Sequence, residues 1–461
     1  MSVLRFLRFI GLAACSLCLG DMARAETYQV GPDKPMRHPG HVAWDQLNPG
    51  DIVEIHWRPE PYRFKWAISR AGTAEQPIVV RGIRNAKGEA PVIEASRASA
   101  PTGLQFTAPA RSVIKIGSTR DSGDTPPAYI VIENLNIQGA RPENFFLGND
   151  GLTEYATNAS AIYVESGNHI TIRSCRMHDC GNGLFVAPDA EEVLVEGCDI
   201  YENGIVGSVY EHNAYSEATG MIYQFNRFGP LRAGSRGNNL KDRSAGLIVR
   251  YNRIEGGNRQ LDLVDSQEGM AIRNDPRYHL AQVYGNLLIE HAGPDNNQIV
   301  HFGGDSGDDA ANRRSLLFYN NTIISTRQDK TVLMRLSTNM QKAEIWNNVI
   351  YTNGPGSTFA ILDETGQANL RGNYLKPGWK TCFGQLKGAV NSTDAIEQEN
   401  PGFADPAHAD YQPGSGSVLR DRGVKSPPRT LPTEYEPPEV NRPGIKRPVV
   451  GSMDIGCFEG K

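Results

Sequence analysis

The stretch NLKDR at 239–243 sets an amine, Lys241, two residues from a guanidinium, Arg243. On an extended strand that spacing projects both from one face, about 6.5–7 Å apart. Such a pair suits β-elimination from a uronic acid. That reaction needs a cation to neutralise the carboxylate, a base for the C5 proton and an acid for the leaving oxygen. Arg243 is permanently charged, and its planar fork matches a carboxylate. The same guanidinium disfavours the ammonium form of Lys241, the candidate base. Tyr215, in NAYSE at 213–217, is the candidate proton donor, and His212, just before that stretch, is its substitute. Asp262, His301, Tyr163 and Asp265 are the candidate substrate-binding residues, because aromatics beside charged groups suit a sugar ring carrying a carboxylate. GDSGDD at 304–309 offers Asp305, Asp308 and Asp309 to calcium. It lacks the full spacing of a calcium loop, so a plain surface loop is the simpler expectation and no cofactor is required.

Residues this far apart in the chain need a repeat to bring them together. A polar residue or two, then Asn or Cys, any residue and an apolar residue recur along the chain. The motif appears in IENLNI (Asn134), IRSCRM (Cys175), VEGCDI (Cys198), YQFNRF (Asn226), VRYNRI (Asn252), VYGNLL (Asn286), FYNNTI (Asn321), IWNNVI (Asn348) and LRGNYL (Asn373), at intervals of 23 to 41 residues. A floor near 23 with irregular excess describes one fixed coil carrying variable loops. Each unit has two short β-type runs and buries its apolar face only by stacking on its neighbours. Stacked strands lie about 4.8 Å apart, so equivalent side chains form ladders. An inward Asn at each bend can satisfy backbone groups of the adjacent coils.

The second strand of each coil aligns as AIYVE (161–165), GLFVA (183–187), NAYSE (213–217), NLKDR (239–243), QLDLV (260–264) and IVHFG (299–303). Alternation turns Ile162, Leu184, Ala214, Leu240, Leu261 and Val300 inward. The outward ladder then reads Tyr163, Phe185, Tyr215, Lys241, Asp262, His301, with Glu165, Glu217 and Arg243 two residues on. Long insertions at 138–158, 227–238 and 265–279 are placed to wall a groove along that ladder.

This repeat resembles the right-handed parallel β-helix, the fold of pectate lyases and their relatives, over essentially the whole chain after residue 25. GPDKP (31–35), LNPGDIVEI (47–55) and GTAEQPIVVRG (72–82) are similar to the first coils of exported β-helix proteins, and NPGFADPAHADYQPGSGSVLRDRG (400–423) and DIGCFEG (454–460) to their closing segment. LKDRSAGLIVRYNRI at 240–254 loosely resembles the segment of the chondroitinase B and alginate lyase group that carries a catalytic lysine, which implies Lys241 as base. The next coil departs from that group, with LDLVD at 261–265 where the group has an Arg-His pair. The fold class implied is all-β, a solenoid with a short capping helix at 38–47. The expected organisation is an export segment at 1–25, the β-helix at 26–400 and a Pro-rich closing segment at 401–461.

Composition agrees with an exported, water-soluble chain. Arg5 and Arg8 precede FIGLAACSLCL, and Ala23-Arg24-Ala25 has the small-x-small form of a cleavage site. A periplasmic or secreted protein is expected, with a lipid anchor at Cys15 as the rival reading. The formal net charge is −5 with no basic run, which argues against nucleic acid as partner, and no later segment has the apolar length of a membrane span. Five cysteines remain after residue 25, an odd number, with Cys175 and Cys198 at equivalent places in adjacent coils as a disulfide or as stacked thiols. The expected partner is an acidic polysaccharide met by a monomer. The expected function is a polysaccharide lyase. The alternatives are a glycoside hydrolase using Asp242, Asp262 or Asp265, a uronan epimerase, or a non-catalytic glycan-binding adhesin.

Overall fold

The computed structural model describes residues 25–101, 107–119, 125–293, 296–354, 356–428, 430–438, 444–448 and 450–460. Residues 1–24 of the expected export segment, Cys15 among them, lie outside the described residues. Apolar residues alternate with polar ones in short runs along the chain, and these runs form parallel strands wound into a β-helix with three faces.

The first face stacks Ser112–Ile116, the starts of Ser160–Arg173 and Asn182–Glu196, then Ala214–Gln224, Leu240–Asp242, Leu261–Leu263, Gln298–Phe302, Lys330–Leu336 and Thr358–Leu362. The second face begins at Thr27–Val30 and runs through Ile52–His56, Ile78–Ile83 and Ala128–Glu133 to Ala389–Thr393. An eleven-stranded sheet from Val92–Glu94 to Ile396–Glu397 makes the third. The core is the interior of the coil, where Ile162, Leu184, Ala214, Leu240, Leu261 and Val300 are fully buried.

Each coil turns from the second face to the third through one residue with a left-handed backbone. Successive coils place Asn134, Ser174, Gly197, Phe225, Tyr251, Gly285, Asn320, Asn347 and Gly372 there, all with φ between 49° and 66°. Apart from glycine, these residues pay for that conformation, and the residue that follows offsets it. Asn252 shows how: its Oδ1 accepts from the Asn226 backbone N–H at 2.9 Å, and its Nδ2 donates to the Tyr223 and Arg250 carbonyls at 3.0 and 2.9 Å and to Asn286 Oδ1 at 3.0 Å. The ladder repeats through Asn286, Asn321, Asn348 and Asn373. It starts later than the motif implies. Asn136 pairs with Arg176, so Leu135 is the partner of Cys175, and Asn134 is the turn residue before it. Cys175 and Cys198 hold ladder positions as buried free thiols, and Cys180, Cys382 and Cys457 are also free.

Two expectations change. Residues 38–47 form no continuous helix. They make two 3-10 turns, Pro39–His41 and Trp44–Gln46, and Trp44 stacks on Trp66 with centroids 4.7 Å apart. Pro39-Gly40 and Pro49-Gly50 bracket a stretch too short for stable α-helical turns. The closing segment reaches further than the last coils. Val424 and Leu431 pack on the Tyr251, Tyr284, Tyr319 and Trp346 stack, and Tyr251 Oη donates to the Pro432 carbonyl. Ile455 and Phe458 pack on third-face residues such as Ile289, Ile324 and Val349. The segment therefore runs back along the side of the solenoid. Among the described residues no helix is long and apolar enough to cross a membrane.

Asn252→Leu removes every one of these side-chain hydrogen bonds while keeping the branching at Cγ. A loss of about 1–3 kcal/mol in chemical denaturation is expected, from orphaned buried backbone groups. An unchanged midpoint would show that the ladder is dispensable.

Candidate functional site

The register brings the outward residues into one line. Tyr163 pairs with Phe185, Phe185 with Tyr215, Tyr215 with Lys241, Lys241 with Asp262, and Asp262 with His301. The line extends at both ends, to Lys115 before Tyr163 and to Arg335 after His301.

At its centre is a compact charge network. Lys241 Nζ donates to Asp262 Oδ2 at 2.8 Å and to Asp305 Oδ2 at 2.7 Å. Arg243 binds Asp305 with both arms of its fork, Nη1 to Oδ1 at 2.8 Å and Nη2 to Oδ2 at 3.0 Å. Asp262 also accepts from Asn238 Nδ2 and from His301 Nδ1, each at 2.8 Å, and His301 Nε2 lies 3.0 Å from the Ser337 hydroxyl.

The charges follow from these contacts. Burial alone would raise the Asp262 carboxyl, but Lys241 and His301 outweigh it and hold it well below its ordinary value. Burial likewise opposes ionisation of Asp305, yet Arg243 and Lys241 keep it lowered. Burial acts against the Arg243 charge, and Asp305, Tyr215 and Asp265 overcome that, so it stays protonated. Burial lowers His301 in spite of Asp262, leaving a neutral ring that donates from Nδ1. The surroundings of Lys241 therefore differ from those expected. The guanidinium is present, but two carboxylates, Asp262 and Asp305, bind the same amine.

His212 and Tyr215 lie beside this network, their rings stacked with centroids 6.2 Å apart. His212 Nδ1 accepts the Asn238 backbone N–H at 2.9 Å, so the ring's hydrogen sits on Nε2. Burial, with Lys241 close by, lowers His212 to about 3, and the imidazole is neutral in the folded protein. A neutral imidazole is a weak acid, which leaves Tyr215 as the better proton donor. Burial raises the Tyr215 phenol, and its hydroxyl faces Arg243.

Several expectations are corrected by position. Asp265 is fully buried, behind the groove surface: its carboxylate lies 3.6 Å from Arg243 Nη1 and accepts the Asp305 backbone N–H at 2.8 Å and the Ser306 hydroxyl, so it anchors the 304–309 loop. Asp242 points into the coil, where Arg313 donates to it at 2.6 Å and Ser216 at 2.6 Å. Glu217, on the outward side, is also buried and accepts from Ser266 and the N–H groups of residues 267–269, fixing the wall loop. Tyr163 lies on the ladder three rungs from Lys241 and makes no contact with the charge network. The three loop aspartates separate: Asp305 joins Lys241 and Arg243, Asp308 pairs with Arg273 at 3.4 Å, and Asp309 faces Asn312. Among the described residues no group of three His, Cys, Asp or Glu gathers to hold a metal ion.

Asp305 is the residue that the strand alignment could not find. It comes from a loop, sixty-odd positions beyond its partners, and only its acidic run marked it. Asn238 was equally hidden, at the end of an insertion.

Residues 121–276 match the family model described as a right handed beta helix region, in agreement with the observed fold. Comparison with curated proteins finds no match. Among solved structures, the chain is similar to pectate lyase Pel9A, at 12% identity and TM-score 0.48, over 96% of this chain and 98% of that one. It is similar to the GH136 lacto-N-biosidase from Eubacterium ramulus, at 13% identity and TM-score 0.45, over 81% and 68%. It is also similar to the Streptococcus pneumoniae surface protein and adhesin PfbA, at 10% identity and TM-score 0.43, over 75% and 89%.

The neutral His212 makes stability depend on pH. An unfolded histidine takes up a proton below about 6.5, while folded His212 does so only near 3. The unfolded state thus binds more protons in between, so stability is flat above that window and falls as pH drops through it. His212→Asn should flatten that slope by up to about 1.4 kcal/mol per pH unit. Parallel stability profiles for the two proteins would contradict a neutral, buried His212.

Proposed function

We propose that the chain is an exported polysaccharide lyase that cleaves a uronic-acid-containing polymer by β-elimination, with its site on the first face at Tyr215, Lys241 and Arg243. One observation carries this reading: the Asp305 carboxylate sits bidentate on Arg243 and bonded to Lys241, in the manner a uronate carboxylate would be held. Asp305 is the chain's own stand-in for the substrate group. Its side chain is 29% exposed, unlike the buried Asp262, and it comes from a loop, so it is the member of the network that can leave.

In this reading the uronate carboxylate replaces Asp305 on Arg243. The negative charge that grows on that carboxylate as C5 loses its proton is met by a fixed cation. Lys241 must enter the reaction as the free amine, and it then takes the C5 proton. Tyr215, kept protonated by burial, gives its proton to the leaving glycosidic oxygen, and the C4–O bond breaks as the C4–C5 double bond forms. Asp262 and His301 position the amine.

A second reading has its own support. Asp262 and Asp305 both bind Lys241, at 2.8 and 2.7 Å, so two carboxylates stand on one stretch of the groove, and a pair of carboxylates is what a glycoside hydrolase uses. Asp242 and Asp265 are buried in other contacts and drop out of that pair.

The two readings separate on the purified protein assayed against a panel of acidic polysaccharides. The lyase yields unsaturated products that absorb in the ultraviolet, and Lys241→Ala lowers turnover by about two to four orders of magnitude while the fold persists. A hydrolase yields saturated products. Asp305→Ala divides them again. It should lower KM by about tenfold with turnover kept, because the competing carboxylate is gone. Loss of activity in Asp305→Ala would favour the hydrolase, and full activity in the Lys241→Ala, Arg243→Ala double variant would sink the site.

A further inference from the structure

Beyond Tyr215 the ladder continues away from the charge network as an aromatic platform. Phe185 and Tyr215 stack at 4.7 Å with planes 10° apart, and Tyr163 meets Phe185 edge-on at 5.6 Å. A second guanidinium lies over these rings. Arg111 closes the 3-10 turn Pro109–Arg111 that leads into Ser112–Ile116, and its Cζ is 4.9 Å from the Tyr163 centroid and 4.7 Å from that of Phe185.

The bonding of Arg111 is incomplete. Its Nε and Nη2 are buried and meet no acceptor among the described residues. Lys115, the ladder residue below Tyr163, has its own carboxylate, Glu165, at 2.8 Å. Arg243 has Asp305. The ring faces attract the Arg111 charge but supply no lone pair for its N–H groups. A buried donor without an acceptor calls for a partner from outside the chain, such as a water, an ion or a ligand group, and Arg111 has two such donors on one guanidinium.

Spacing gives the missing group a chemistry. Phe185 and Tyr163 stand two and three rungs from Lys241, which is about 10–14 Å at the strand spacing. A polysaccharide laid along the ladder with one carboxylate on Arg243 brings a residue further along its chain over Arg111. We propose that Arg111, with the Tyr163, Phe185 and Tyr215 platform, forms a second subsite that binds the carboxylate of another uronate in the same polymer. The substrate is then a polyuronate, charged repeatedly within this footprint, and not a largely neutral glycan with isolated acidic residues. This rests on the reading of Arg243 as the first carboxylate seat.

The test is direct binding to the Tyr215→Phe protein, which keeps the ring and both cations but lacks the proton donor. Probes are the dimers and tetramers of galacturonate, mannuronate and guluronate, with mannotetraose as the neutral control. At least one charged tetramer should bind and mannotetraose should not. Adding Arg111→Gln should weaken that tetramer by about tenfold and leave the dimer unchanged, with Arg111→Lys in between. Adding Arg243→Gln should weaken dimer and tetramer alike. Tetramer affinity unchanged by Arg111→Gln overturns the subsite, and it leaves the first seat standing if Arg243→Gln still weakens both. A melting point lowered by Arg111→Gln without loss of tetramer binding would make Arg111 a packing residue and overturn the subsite too. Failure of every charged tetramer to bind overturns both seats.

Discussion

Strand-to-strand register, pinned by the asparagine ladder, is the constraint on which the rest of the structure depends. Each ladder amide closes a turn in its own coil and bonds to the next, so neighbouring coils cannot slip by a residue without orphaning buried N–H and C=O groups. A slip of one residue would also turn Lys241, Asp262 and His301 inward and Leu240, Leu261 and Val300 out. The ladder runs on the far side of the coil from the site, yet it fixes which side chains the site receives. Six residues spread over 163–301 become consecutive rungs for that reason alone.

Electrostatics does the remaining work. Strand alternation brings Lys241 beside Asp262, and neither charge is affordable alone at that burial. Asp262 is stabilised by Lys241 and by a neutral His301, while Arg243 and Lys241 share Asp305 across the groove mouth. The face is thereby graded. Its inner charges are locked by strands, and its outermost carboxylate comes from a loop held through Asp265 and Ser306. A ligand that carries its own carboxylate meets the contact that is easiest to replace.

The parts of this arrangement that were legible in the sequence are those that repeat. Alternation in AIYVE, NAYSE and NLKDR was enough to line up Tyr163, Tyr215 and Lys241, because a parallel coil repeats its register. The asparagines were legible from Asn226 onward, since each follows a turn residue and stands two positions before an apolar one. Asn134 misled because the turn position itself tolerates Asn, whose backbone enters the left-handed region easily. The contribution of loops was not legible. Asp305 resembled a member of an acidic surface run, and nothing in GDSGDD says that one of its carboxylates folds back onto two cations. Asp265 looked like a ligand-facing group because it follows a ladder strand, but the chain bends after Leu261–Leu263 and buries it under the loop. Arg111 lies on a turn outside the aligned strands and was invisible to the repeat.

The central claim is that the Asp305 carboxylate occupies the place of a substrate carboxylate. A crystal structure of the Tyr215→Phe protein with a bound uronate oligomer tests it most directly. The account predicts a sugar carboxylate on Arg243 Nη1 and Nη2, with the Asp305 side chain displaced toward solvent and Asp262 still on Lys241. An oligomer bound elsewhere, or bound on this face with Asp305 still bidentate on Arg243, would contradict it.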